Sequence, residues 1–283
     1  MSELQEVRTI QRILVALDAS TDSLAALDAA AKLAARLNAE LVGLFVEDVN
    51  LLYMAGLPFT REHRFPRLGD VTHEQMEKAL RLQASQARRA LSRVADRWSV
   101  HWTFRVVRGR VTPEVLAAAL EADLLTVGKS SRPLSRHSRL GSTARALVEQ
   151  TPRSILLAQP SSEENRPILV TYDGTPQAEQ TLLVAVHLAQ ANQLPITIFV
   201  LGNTPEETQH AAARAATWLT EHQPHPDTIK YMPLLHPNAY QLAEAVRRAG
   251  GGTLVLSGFS PSLQAHTLQT LLDELDCPVL VVR

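Results

Sequence analysis

The chain has 283 residues, 45% of them hydrophobic and 20% charged, with 28 Lys+Arg against 29 Asp+Glu and one cysteine, Cys277. That is the composition of a globular protein, and because single cores stop growing at about 250–300 residues, two cores of ordinary size are expected. It excludes an intrachain disulfide and a chain-wide basic surface for nucleic acid, and no stretch approaches the roughly 18 consecutive apolar residues of a membrane span.

The opening "MSELQEVRTIQRILVALD" carries acids and only a short apolar run, so it does not read as a signal peptide. Together with the lone cysteine it suits a cytoplasmic location. "RILVALD" at 12–18 has the length and apolar character of a strand, and 22–38 is an Ala/Leu-rich helical stretch. A strand at 40–46 comes next, then "NLLYMAGLPFTREHRFPRLGD" at 50–70. Tyr53, Met54, Leu57, Phe59 and Phe65 of that segment line a pocket or an interface, or the segment is a plain loop over the sheet. An amphipathic helix is expected at 71–97, a strand at 99–107, and a helix opened by Thr112-Pro113-Glu114. In that opening threonine caps, and proline takes the first helical position, where its missing N–H costs nothing. Trp98 and Trp102 flank His101 at the helix-to-strand junction and serve packing. A strand at 123–127, a helix from 141 and a strand at 154–158 complete the first half. Polar, proline-flanked "QPSSEENRP" at 159–167 reads as a linker.

Beyond the linker the chain repeats its first half. "PILVTYD" at 167–173 lies over "RILVALD" at an offset of 155, placing Asp173 over Asp18, and "ITIFVL" at 196–201 lies over "LVGLFV" at 41–46. "TLVLSGFSP" at 253–261 answers "DLLTVGKSS" at 123–131, and "PVLVVR" at 278–283 answers "SILLAQ" at 154–159. Thr175-Pro176 opens a helix, and Thr204 with Glu207 forms a capping box before another. Strands joined by helices of this length imply mainly parallel sheets covered on both faces. The predicted fold is therefore α/β, two tandem doubly wound five-stranded sheets, with domains at 1–160 and 161–283. Charge divides unevenly between them, 22 Lys+Arg against 17 Asp+Glu in the first and 6 against 12 in the second, so an anion site belongs more naturally to the first.

In doubly wound sheets ligands bind beyond the carboxyl ends of strands at a topological switch point, which directs attention to Asp18-Ala19-Ser20 and to "GKSS" at 128–131. Gly128-Lys129-Ser130 resembles the end of a phosphate-binding P-loop. That motif needs a glycine five positions earlier, where Asp123 stands. Lys129 is read instead as an exposed lysine. A better description is Gly128-x-x-Ser131, nine residues from Arg132 to Leu140, then Gly141-Ser142-Thr143 opening a helix. Gly128 allows unusual backbone angles and close approach of a ligand. Gly141, Ser142 and Thr143 place free N–H groups and the positive end of a helix dipole where a phosphate binds well. Arg132, Arg136, His137 and Arg139 lie in the intervening loop and can close over an anion.

This arrangement resembles the universal stress protein family, whose ATP-binding members carry Gly-x-x-Gly, nine residues and Gly-Ser/Thr here. The resemblance extends to "ILVALDAS", to "LFVEDV", and to both halves of the chain, identifying a tandem member. It implies an adenine nucleotide alpha hydrolase-like, Rossmann-like fold. It also implies that Asp18 and the backbone of Val46 meet adenosine, with Gly128, Ser131, Gly141, Ser142 and Thr143 around ribose and phosphates. Asp18 as a turn former and Val46 as an ordinary strand residue are the plain alternatives. The departure is Ser131, which replaces the second glycine and implies weakened or reshaped binding. The ligand implied is ATP, or ADP or AMP in its place, with or without Mg²⁺. Family members pair through their last strands, so either a homodimer or pairing of the two halves within one chain is implied.

From Gly258 the same spacing reaches Pro261 and Leu271-Leu272, so the second half is expected to bind no ATP in this manner, its leucines packing into core. His222-x-x-His225 has metal-like spacing but only Asp227 nearby, and reads as a solvated loop. Cys277 is expected to be buried. The leading reading is a cytoplasmic stress-response regulator that binds adenine nucleotide, engages a regulatory protein partner and is no enzyme beyond slow ATP hydrolysis. The alternative is a scaffold for a partner or hydrophobic ligand with a vestigial site.

Overall fold

The computed structural model describes residues 10–55, 72–130, 140–160, 166–222, 229–258 and 265–283. The first half runs β1 (Arg12–Ala16), α1 (Thr21–Leu37), β2 (Glu40–Asp48), α2 (Val49–Ala55), α3 (His73–Trp98), β3 (Trp102–Gly109), α4 (Val111–Ala119), β4 (Leu124–Gly128), α5 (Ser142–Gln150) and β5 (Ser154–Ala158). The second runs β6 (Ile168–Tyr172), α6 (Pro176–Asn192), β7 (Ile196–Gly202), α7 (Pro205–His222), β8 (Ile229–Leu235), α8 (Ala239–Arg248), β9 (Thr253–Ser257), α9 (Ala265–Glu274) and β10 (Val279–Val282).

Local chemistry sets most boundaries. Ser20 caps α1 by accepting the Ser23 N–H, and Asn38 ends it in the left-handed region at φ 53°. Thr72 and Gln75 form a capping box at the start of α3. That helix ends on Ser99, again left-handed, so the strand expected from residue 99 begins at Trp102. Trp98 and Trp102 both pack against the core, as expected. Thr175 and Pro176 open α6 as the sequence predicts.

Three starts differ from expectation. Helix α4 begins at Val111 behind Arg110, which makes no side-chain cap, so Thr112 and Pro113 lie inside its first turn. Proline is accommodated there because first-turn N–H groups have no helical acceptor. At α7, Thr204 accepts the Glu207 N–H at 3.1 Å, but the Glu207 carboxylate accepts the N–H of Asn203, one residue before the expected partner. Part of the 50–70 segment is the short helix α2, opened by Asp48 accepting the Asn50 N–H at 2.9 Å. Leu57, Phe59 and Phe65 lie outside the described residues.

The ten strands among the described residues join one sheet, ordered β3-β2-β1-β4-β5-β10-β9-β6-β7-β8. Neighbours are parallel except at the centre, where β5 and β10 run antiparallel with Leu156 opposite Leu280. The two predicted five-stranded units are thus fused into an intramolecular pseudo-dimer through their last strands. Helices α1, α3, α6 and α7 cover one face and α4, α5, α8 and α9 the other, each over its own apolar cluster. Strands covered on both sides are mostly apolar, and β6 is buried at every position, Thr171 included. The edge strands β3 and β8 are half-exposed, and Pro233 sits in β8, where a missing N–H is tolerated.

The register corrects the repeat. Strand β1 places Ile13 beside Leu124, and β6 places Ile168 beside Thr253, so Gly128 corresponds to Ser257 and Lys129 to Gly258. The sequence alignment of these strands is therefore displaced by one residue, a slip that exchanges the two faces of a strand.

Candidate functional site

Strand order reverses between β1 and β4, and the chain segments leaving their carboxyl ends lie side by side. Beyond β1, exposed Asp18 accepts the Ser20 N–H at 2.9 Å, and Ala19 takes the left-handed conformation at φ 62°. Asp18 is therefore the turn former that the plain reading describes, while Ser20 is the helix cap. Its place is just beyond the carboxyl end of β1, at the switch point. Val46 lies farther along β2. Leu44 accepts the Leu17 N–H at 2.9 Å, so its backbone faces β1, and two residues on Val46 faces the same side, past the last β1 residue paired with β2.

Gly128 is needed for a different reason from the one expected. Its φ is not positive, and a Cβ there would lie 2.7 Å from the backbone carbon of Asp22 and 2.8 Å from the Ser23 nitrogen. The glycine lets the first turn of α1 rest directly on the end of β4. Gly141 has extended angles, φ −61° and ψ 153°, and is the N-cap of α5 without a side-chain cap. Its N–H donates to the Lys129 carbonyl at 2.9 Å, which pins the two ends of the 130–140 connection together. Ser131 and the loop residues Arg132, Arg136, His137 and Arg139 lie outside the described residues.

An account of the main-chain donors narrows the site. The Lys129 N–H goes to the Ala158 carbonyl, Ser130 to buried Asp22 at 2.9 Å, Leu140 to Asp273 at 2.8 Å, and Gly141 to Lys129. Among the described residues from 140 to 145, the main-chain donors not committed in this way belong to Ser142, Thr143 and Ala144, since the first helical bond runs from the Arg145 N–H to the Gly141 carbonyl. Ser142 is exposed, Thr143 half-buried and Ala144 buried. The uncommitted donors thus lie in the uncapped first turn of α5, rather than in a ring of amides drawn from both glycines.

Lys129 is not the exposed residue expected. It is 4% exposed, and its Nζ donates to the Leu275 carbonyl, at the end of α9, at 2.5 Å. Burial pushes its pKa down, opposed by Asp276, Asp273, Cys277 and Asp22. The lysine caps a helix C-terminus in the other half, where a cation complements the dipole. Sequence reasoning also missed Glu47, buried beside Val46 and held by Arg108 at 2.9 Å, with Arg108 reaching Glu77 at 3.1 Å. Arg145 is a further omission. It binds Asp273 at 3.0 Å and Gln269 at 2.8 Å across the join.

The second half differs in outline. Its connection from β9 to α9 spans 258–264, against 129–141 in the first, and Leu271 and Leu272 are buried in α9 as expected. Asp173 accepts from the N–H and hydroxyl of Thr175, with Gly174 at φ 78°, which is the turn predicted there. His225 lies outside the described residues. Cys277 is buried, and its thiol is pushed up to about 11 by desolvation. No helix among the described residues is long and apolar enough to cross a membrane.

The family model described as the universal stress protein family matches residues 9–159. The Mycobacterium tuberculosis universal stress protein Rv2624c is 30% identical over 194 residues, covering 63% of this chain and 68% of the relative. A universal stress protein from Archaeoglobus fulgidus superposes with a TM-score of 0.73 at 13% identity, over 96% of this chain and 98% of that one. A putative universal stress protein from Pseudomonas aeruginosa gives 0.62 at 14% identity, over 98% and 94%. The sheet and its order define a tandem, doubly wound α/β protein. The chain belongs to the universal stress protein family.

Proposed function

We propose that the first half, residues 1–160, binds ATP or a related adenine nucleotide, ADP or AMP, and that the chain acts as a cytoplasmic stress-response regulator read by a protein partner. The observation that carries this reading is the uncapped N-terminus of α5, beside the β1/β4 switch point and held there by the Gly141–Lys129 hydrogen bond. Ser142 and Thr143 offer amides and hydroxyls to phosphate, Asp18 meets the ribose side, and the Val46 backbone faces the space past β1 where adenine enters. Gly128 and Ser131 border the ribose and phosphates. Any Mg²⁺ arrives on the phosphates, as is usual for this ion. The second half, 161–283, lacks the long connection and binds no nucleotide in this way. The role is binding, with hydrolysis slow at most.

The test is to denature freshly purified protein, identify released nucleotide by chromatography, and titrate the emptied protein with ATP with and without Mg²⁺. Saturable binding that is lost in Gly141→Leu, whose side chain covers the α5 N-terminus, supports the proposal. Absence of binding favours the scaffold reading, to which exposed Tyr53 and Met54 on α2 lend a surface.

A further inference from the structure

The second half touches the proposed nucleotide site without forming any of it. Both ends of the connection that carries the site are tied to α9. At one end, Lys129 donates through Nζ to the Leu275 carbonyl at 2.5 Å. At the other, the Leu140 N–H donates to Asp273 Oδ1 at 2.8 Å, one residue before the N-cap of α5. The second Asp273 oxygen accepts from Arg145 in the first full turn of α5 at 3.0 Å, and Arg145 donates again to Gln269 at 2.8 Å. Gln269 in turn donates to Glu149, farther along α5.

We infer that Asp273 is a positioning residue for the nucleotide site and that the degenerate half regulates it, with α9 setting the place and direction of the α5 N-terminus. The inference rests on the proposed nucleotide binding, because it assigns a regulator to that same site. Its physical basis is economy of anchoring. A helix N-terminus binds an anion well only when its amides are fixed before the ligand arrives. The Leu140 and Gly141 bonds fix them from both sides, and Asp273 makes one of those bonds while orienting Arg145 with its other oxygen. Arg145 neutralises the carboxylate, so Asp273 does not act simply as a repelling charge near phosphate. A shift of α9, caused by anything that binds the second half, therefore moves the anion site.

The experiment uses the full chain and two readouts, amide hydrogen exchange of the ligand-free protein and ATP titration. Asp273→Ala is expected to speed exchange at Leu140 and Gly141 by roughly tenfold or more and to weaken ATP by a similar factor, the loss of a charge-assisted bond. Asp273→Asn keeps shape and an acceptor for Leu140, and is expected to fall between that variant and the parent. Glu274→Ala removes one negative charge from the same helix without touching the loop, and should match the parent in both readouts. The inference is overturned if Asp273→Ala leaves exchange at those two amides unchanged. It is equally overturned if Glu274→Ala weakens ATP as far as Asp273→Ala does. A parent protein that binds no adenine nucleotide refutes the proposed function and, with it, the regulation of nucleotide affinity. The exchange readout then decides separately whether α9 holds the loop.

Discussion

Gly128 and Gly141 look interchangeable in the sequence, yet one is closed in by backbone and the other is not. A methyl group on Gly128 meets the backbone of Asp22 and Ser23 at 2.7–2.8 Å, and neither can rotate away. Gly128→Ala is expected to cost about 1–3 kcal/mol in a denaturant titration, through displacement of the α1 N-terminus. At Gly141 the nearest atom to an added Cβ is the Lys129 oxygen at 3.4 Å, an ordinary contact, and the backbone is already extended. Gly141→Ala should therefore change stability by only about 1 kcal/mol or less. Equal losses at the two positions would refute this distinction. Cys277 supplies a second test at this scale. Burial favours the neutral thiol and raises its pKa to about 11, so its thiolate is about one part in a thousand near pH 8. Iodoacetamide is expected to leave the native thiol unmodified at about pH 8 while labelling it fully in denaturant.

Among the elements, the boundaries legible in the sequence are those whose signals are local. Thr175-Pro176 caps and starts α6 within four residues, and the apolar runs of β1 and β6 announce buried strands. Thr112-Pro113 carried the same signal and misplaced α4, because β3 ends at Gly109 and Glu114 folds back into the space beside that glycine. Lys129 was illegible for a stronger reason. Nothing within its own stretch reports that the C-terminus of α9, some 146 residues away, supplies its acceptor. The site was readable as a spacing, Gly128 to Gly141, but not as an account of which amides were already occupied, since Asp22 and Asp273 come from other elements. These facts make Lys129→Ala a test of element docking. It removes a buried charge-assisted bond and leaves the α9 terminus uncapped, for an expected loss of about 2–3 kcal/mol measured by denaturant titration. A solvent-exposed lysine would give almost none. The depressed pKa adds a sign. The buried ammonium is disfavoured relative to the unfolded chain, so the cost of keeping it charged falls away as pH rises through its folded value toward 10.5. The deficit of the alanine variant should therefore grow with pH over that window, where the parent lysine gives up its proton and gains stability.

At the scale of the whole molecule, the repeat was legible because apolar strands recur in the same order, the first two at a shared offset of 155, whereas its one-residue slip at β4 and β9 emerged only from pairing. The same pairing makes one sheet from two units. Parallel strands cannot be joined by a short turn, but β5 and β10 need no turn to join them. They meet antiparallel at the centre, and Leu156 and Leu280 face each other there, 7% and 4% exposed. This join occupies the edge of each half that would otherwise be open, leaving β3 and β8 as the outer strands. If the join is what makes the molecule a single cooperative unit, a charge placed in it should cost far more than the same charge on a helix surface. Leu280→Asp buries a carboxylate with apolar neighbours and is expected to lose about 3–5 kcal/mol, with the melting transition broadening as the halves cease to unfold together. Leu82→Asp, on the solvent side of α3 at 55% exposure, should lie within about 0.5 kcal/mol of the parent. A Leu280→Asp protein with the parent's sharp transition would mean that α5–α9 packing, rather than the β5–β10 ladder, couples the halves. The Asp273 variants would then show the larger effect.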